Sequence, residues 1–201
     1  MAEVSGIILA GGRSSRMGQD KASLVMDGAT LLQRTVSALE AVADEVVIVR
    51  APGQSLPLVQ PRGSLVVVED AVEGEGPLYG MGTGLHAASA PVAVVVGVDH
   101  PFLQPDLLRL LADRVRGGAR WVLPIADGRP QPLCSAFARD ALEVIRTHLA
   151  AGDRAPMAVA ADLGMVRLRE EEWRHADPEG WSFVDVDTPE DFAAALARRR
   201  G

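Results

Sequence analysis

The chain has one cysteine in 201 residues, Cys134. No intramolecular disulfide framework can form, so a reducing compartment is expected and Cys134 reads as a small buried hydrophobe. Positive charge is also short. Twenty lysines and arginines stand against 27 acids, leaving a net charge of −7 and a pI near 5.1, which argues against general nucleic-acid binding. No apolar run approaches the roughly 18 residues needed to cross a bilayer. No signal pattern opens the chain, because Glu3 precedes only a short apolar stretch. The histidines, at 86, 100, 148 and 175, are scattered with no H-E-x-x-H, so a zinc site has no support. Neither G-x-G-x-x-G nor a P-loop Gly-Lys-Ser/Thr is present. Repeats and low-complexity linkers are absent too. These exclusions leave one cytoplasmic domain spanning 1–201, a monomer or small oligomer with no membrane or nucleic-acid partner. A chain of this length can bury roughly 70 % of its unfolded surface.

What is present alternates. Apolar, β-branched runs at 5–9, 45–49, 65–68, 92–96 and 120–124 read as strands, with weaker candidates at 133–138 and 166–169. Between them lie helical patterns. Thr30-Leu31-Leu32-Gln33 is a capping box opening a helix to about Ala41. Pro105 and Asp106 open a second helix, and Thr188-Pro189-Glu190-Asp191 a last one, with proline in the first turn and acids against the dipole. Further helices are expected at 139–150 and 155–163, and residues 51–64, with three prolines and two glycines, read as a loop. Such alternation implies an α/β fold with helices around a mostly parallel sheet.

The segment Leu9-Ala10-Gly11-Gly12-Arg13-Ser14-Ser15-Arg16-Met17-Gly18-Gln19-Asp20-Lys21 follows the first strand. Glycines let the backbone approach a ligand, free N–H groups make a concave anion site, and Arg13, Arg16 and Lys21 offset its charge. A polyphosphate fits that chemistry; a solvated strand-to-helix turn is the plainer alternative. Asp99 sits just past the buried-looking strand 92–96, where ligands collect at the carboxyl ends of open α/β sheets. There it can hold Mg²⁺, which takes one or two carboxylates plus substrate phosphates. Equally, it can cap the turn before Pro101.

Several motifs in sequence order resemble those of the nucleotidyltransferases, and within them the molybdenum cofactor guanylyltransferases. The loop matches L-A-G-G-R-S-S-R-M-G-x-D-K. Glu69-Asp70 followed by Gly76-Pro77-Leu78-Tyr79-Gly80 matches E-D…G-P-L-x-G, and Asp99-His100-Pro101-Phe102 matches D-x-P-[FY]. Gln131-Pro132-Leu133 and Phe183 to Asp191 fit later motifs with changes. The resemblance implies a Rossmann-like nucleotidyltransferase that uses GTP and Mg²⁺ to place GMP on the phosphate of molybdopterin, releasing pyrophosphate. It assigns Leu9, Ala10, Gly11, Gly12, Lys21, Asp70, Gly76, Pro77, Leu78, Gly80 and Asp99 to the nucleotide. Asp99 is then the metal ligand, and Lys21, Asp99 and Arg16 the catalytic groups. Arg16, Gln131, Asp185 and Asp187 fall to the acceptor side, and transient contact with other proteins of the cofactor pathway is implied.

Two departures stand out. The late motif is Asp185-Val186-Asp187-Thr188-Pro189, where guanylyltransferases commonly carry N-x-N-T-P and the sister cytidylyltransferases D-x-D-T-P. Gln131 replaces a common histidine. A cytidylyltransferase of the same cofactor, another small-molecule nucleotidyltransferase, and a catalytically silent nucleotide-binding module remain as rivals.

Overall fold

A computed structural model describes residues 2–11, 20–71 and 74–198. In chain order the strands are β1 (Val4–Leu9), β2 (Val25–Met26), β3 (Ala29–Thr30), β4 (Glu45–Arg50), β5 (Ser64–Glu69), β6 (Val92–Gly97), β7 (Trp121–Ala126), β8 (Arg129–Pro130), β9 (Cys134–Ala138) and β10 (Val166–Leu168). The helices are α1 (Leu31–Leu39), α2 (Pro77–Ala87), α3 (Pro105–Arg116), α4 (Ala141–Ala150), α5 (Glu170–Trp173) and α6 (Pro189–Arg198).

The main sheet runs β10-β7-β9-β6-β1-β4-β5, with β8 attached to β7. β6, β1, β4 and β5 are mutually parallel, and Ile7 sits level with Val47 on one side and Val95 on the other. β9 runs antiparallel to both β6 and β7. A parallel return needs a crossover of a dozen or more residues, and only residues 127–133 separate β7 from β9. They turn instead through a hairpin at Asp127-Gly128, both with positive φ, the conformation a tight Asp-Gly hairpin uses.

β6 shows why this fold forms. Its residues alternate between two apolar layers and all are buried. Val92, Val94 and Val96 join Ile8 and the inner faces of α1 and α3 (Leu32, Val36, Leu107, Leu111). Ala93 and Val95 join Ile7 and those of α2 and α4 (Met81, Leu85, Ile145). Each buried aliphatic contributes about 1.5–3 kcal/mol of transfer free energy. A third cluster packs Leu24, Met26 and Leu31 against Phe102, Val186 and Ala195. It fastens the β2–β3 hairpin and the C-terminal segment to the loop after β6, and so controls what surrounds Asp99.

The expected helix at 155–163 does not form. Pro156–Val159 is a short 3₁₀ turn, and the chain closes with Ala158 N–H on the Ala155 carbonyl and Ala160 N–H on that of Met157. The chain then turns at the left-handed Gly164, whose N–H donates to the Ala161 carbonyl at 3.0 Å. The turn still buries Val159 and Leu163 against the core. Helix α5 was not anticipated from the sequence; its entry is fixed by the Arg169 N–H donating to Glu172 at 3.0 Å.

Candidate active site

At the carboxyl ends of β1, β4, β5 and β6 lies a cleft of about 430 Å³, lined among others by Leu9, Ala10, Gly11, Lys21, Ala51, Asp70, Glu75, Gly76, Pro77, Gly80 and Asp99. Two glycines are dictated by close approach. A Cβ on Gly11 would stand 2.7 Å from the Ala51 nitrogen, and one on Gly76 2.9 Å from the Arg154 carbonyl oxygen. Gly76 also has φ +87 and precedes Pro77 at the first turn of α2. Arg154 secures that entry, since its carbonyl accepts the Leu78 N–H at 3.2 Å and its guanidinium pairs with Glu75.

At one end of the cleft, Lys21 rides on a 3₁₀ turn capped by Asp20, whose Oδ1 accepts the Ala22 N–H at 3.0 Å. Lys21 Nζ donates to Asp99 Oδ2 at 3.1 Å and also to Asp187 Oδ1. Burial pushes the lysine's pKa down most strongly of any single influence, but hydrogen bonds and attraction from Asp187 and Asp99 together raise it above its ordinary value. Asp187 is delivered by the backbone, through the Val186 N–H on the Asp99 carbonyl at 3.0 Å. Behind it, Asp191 accepts the N–H groups of Asp187 and Thr188, and its own N–H returns to the Thr188 hydroxyl. That reciprocal cap opens α6.

Asp70 follows β5. Burial raises its carboxyl above the usual carboxylate range, opposed by the Thr83 hydroxyl, and its Oδ1 is buried without a hydrogen-bond partner. Asp99 Oδ1 is likewise buried without a hydrogen-bond partner, with His100 Nε2 3.7 Å away. The donor set at Asp99 and Asp187 is all hard oxygen, which suits Mg²⁺ with substrate phosphates completing its shell. Among the described residues no group of three or more His, Cys, Asp or Glu could hold a metal unaided.

Residues 6–166 match the MobA-like NTP transferase domain. The chain belongs to that family. It is 37 % identical to a probable molybdenum cofactor guanylyltransferase of Mycobacterium avium, over 98 % of this chain and 97 % of that one. A second, from Chloroflexus aggregans, is 34 % identical over 96 % and 94 % of the two chains. The fold is that of molybdopterin-guanine dinucleotide biosynthesis protein A from Archaeoglobus fulgidus, with TM-score 0.80, 22 % identity and 98 % of both chains covered.

In this MobA-like domain the residues singled out from sequence separate into groups. Leu9, Ala10, Gly11, Lys21, Asp70, Gly76, Pro77, Gly80 and Asp99 share the cleft. Leu78 does not line it, because its side chain is fully buried in the core layer under α2. The N–H groups of Ala10 and Gly11 are not free for an anion, since both donate to the Val49 carbonyl, at 2.9 and 3.2 Å. Gly12, Arg13 and Arg16 lie outside the described residues. Of the two late aspartates, Asp187 meets Lys21 and Asp185 is exposed. Gln131 does not line the cleft; its N–H donates to the Pro124 carbonyl at 3.0 Å, and Leu133 lines the cleft instead. Cys134 is fully buried, and burial, with Asp177 nearby, pushes its thiol up to about 12, so it carries no nucleophilic thiolate at neutral pH. Sequence reasoning missed Thr83, Glu75 and Arg154, none of which belongs to a recognisable short motif.

Proposed function

We propose that the protein is a Mg²⁺-dependent molybdenum cofactor guanylyltransferase, transferring GMP from GTP to the phosphate of molybdopterin and releasing pyrophosphate. The observation that carries this is the convergence of Lys21, Asp99 and Asp187 at one end of the family cleft. Full-length similarity to molybdenum cofactor guanylyltransferases supports the choice of substrates.

Nucleotidyl transfer asks for positioning and charge neutralisation more than covalent help. Lys21 holds the triphosphate and stabilises charge on the departing pyrophosphate. Asp99 and Asp187 orient Lys21 and are the residues that would hold the cation. When bound, Mg²⁺ supplies charge neutralisation at the phosphate oxygens. Asp70, half-buried and with no cation against it among the described residues, receives donor groups of the guanosine part. The acceptor phosphate attacks the α-phosphorus, forming the new P–O bond as the bond to pyrophosphate breaks. Arg16 is assigned to the acceptor phosphate, and Gln131 and Asp185 to the approach of the acceptor.

The test is pyrophosphate release from each of the four nucleoside triphosphates, with and without molybdopterin. Release is expected only with GTP and molybdopterin together. A preference for CTP would overturn the guanylyl assignment in favour of the cytidylyl rival, which Asp185 and Asp187 resemble.

A further inference from the structure

The turn after β4, Ala51-Pro52-Gly53-Gln54, lies beside the cleft without lending it a catalytic group, yet the Gln54 amide is fully engaged. Its Nε2 donates to the Ala10 carbonyl at 3.1 Å and to Asp20 Oδ2 at 2.9 Å, and its Oε1 accepts the Ala51 N–H at 2.9 Å. The backbone under it is equally fixed. Gln54 N–H donates to the Ala51 carbonyl at 3.1 Å, and the Gln54 carbonyl accepts from Arg50 at 2.9 Å. Arg50 in turn pairs with Glu69 at 2.8 Å, and Glu69 accepts the Gly53 N–H. A rigid turn therefore presents one amide to two chain segments that flank the glycine-rich stretch.

We propose that Gln54 is a positioning residue: its amide ties Asp20 to Ala10 and thereby sets where Lys21 stands against Asp99. Asp20 has two carboxylate oxygens with separate duties. Oδ1 caps the turn that carries Lys21, and Oδ2 is held by Gln54. Without the amide, that carboxylate is free to rotate off the cap and the Ala10 carbonyl loses a donor. The consequence for nucleotide binding rests on the proposed nucleotidyltransferase function, whereas the geometry does not.

Two measurements test it. The first uses nucleotide-free protein. Gln54→Ala is expected to speed amide hydrogen exchange at Ala22, while core amides of β6 exchange at the wild-type rate; unchanged exchange at Ala22 overturns the proposal. The second measures GTP binding with Mg²⁺ in wild type, Gln54→Glu, Asp20→Asn and the double variant. Gln54→Glu keeps the acceptor for Ala51 but sets a carboxylate against Asp20, and GTP should bind about tenfold more weakly, the usual scale for a hydrogen bond to a charged group. Asp20→Asn reverses the pair, with the asparagine amide donating to the new carboxylate. The double variant should therefore bind GTP more tightly than Gln54→Glu alone, though short of wild type because Ala10 still lacks its donor. Losses that simply multiply would overturn the coupling. Failure of the wild type to bind any nucleoside triphosphate would instead overturn the proposed function, and the exchange measurement would still decide the role of Gln54.

Discussion

Asp99 and Asp70 face one cleft from strands that do not touch. Each stands just beyond a parallel strand, β6 and β5, with β1 and β4 between them, a span of about 14 Å at ordinary strand spacing. Each keeps one carboxylate oxygen buried without a hydrogen-bond partner. Their surroundings differ. Asp99 shares the Lys21 ammonium with Asp187, so a cation compensates its charge. Burial raises the carboxyl of Asp70, and the hydroxyl of Thr83 is all that opposes the rise. Under the proposed function the same residue type would serve two chemistries. An aspartate beside a lysine and a second acid suits phosphates and a metal, whereas a half-buried one with no cation against it among the described residues suits neutral N–H and O–H donors.

The contrast breaks most severely at Asp99. If Asp99 holds the cation as proposed, Asp99→Ala is expected to lower turnover by more than about a hundredfold, since loss of a metal carboxylate removes several kcal/mol of transition-state stabilisation. Circular dichroism and the thermal midpoint should change little, because Lys21 keeps Asp187. Retention of more than about a tenth of wild-type turnover, a loss below about 1.4 kcal/mol, would remove Asp99 from the chemistry.

A smaller effect is expected at Lys21. Lys21→Met leaves Asp99 and Asp187 facing each other without their shared cation, and the mutual repulsion of two part-buried carboxylates adds to the lost phosphate contact. GTP affinity and turnover should fall together, by about ten- to a hundredfold, in titration and single-turnover measurements. A fall in turnover with unchanged GTP affinity would place Lys21 on the transition state alone.

How much of this cleft is legible in sequence depends on what each part rests on. β1, β4 and β6 announce themselves, because a strand buried on both faces needs an unbroken apolar run. Asp99 follows such a run, while Asp70 follows the apolar stretch 65–68 of the largely exposed edge strand β5, and their place at the sheet's carboxyl edge comes with these strands. The Lys21–Asp187 pair spans 166 positions and depends on Leu24, Phe102 and Val186 packing together, which no local spacing encodes. Gln54 is invisible for a related reason: its partners at 10 and 20 become neighbours only once β1 and β4 are side by side. The 155–163 stretch misled in the opposite way, since its alanines favour helix locally while the chain takes a short 3₁₀ turn and reverses at the left-handed Gly164.

The finest distinction between the two aspartates concerns stability rather than activity. The raised carboxyl of Asp70 means that the folded protein holds this proton more readily than the unfolded chain. Its favourable contribution is therefore complete below the unfolded value, about 3.9, and is lost as pH rises through the folded one. At pH 7 the ionised Asp70 is a cost to the nucleotide-free fold. Asp70→Asn removes that cost, keeps the shape and can still accept from Thr83. The group is only half-buried, so solvent screening reduces the effect, and a gain of about 1–3 °C in the thermal midpoint is expected for a domain of this size. The gain should be widest at pH 7–8 and shrink toward pH 4. Under the proposed function GTP should meanwhile bind about tenfold more weakly to the variant, because the carboxylate assigned to the guanosine part is replaced by a neutral amide. Asp99→Asn should show no such gain, because it weakens the pair that Asp99 makes with Lys21. Thermal scans of both variants across that pH range, without nucleotide, separate the cases. A destabilised Asp70→Asn at pH 7 would mean that Asp70 is held by charge compensation as Asp99 is, and the two ends of the cleft would no longer differ in kind.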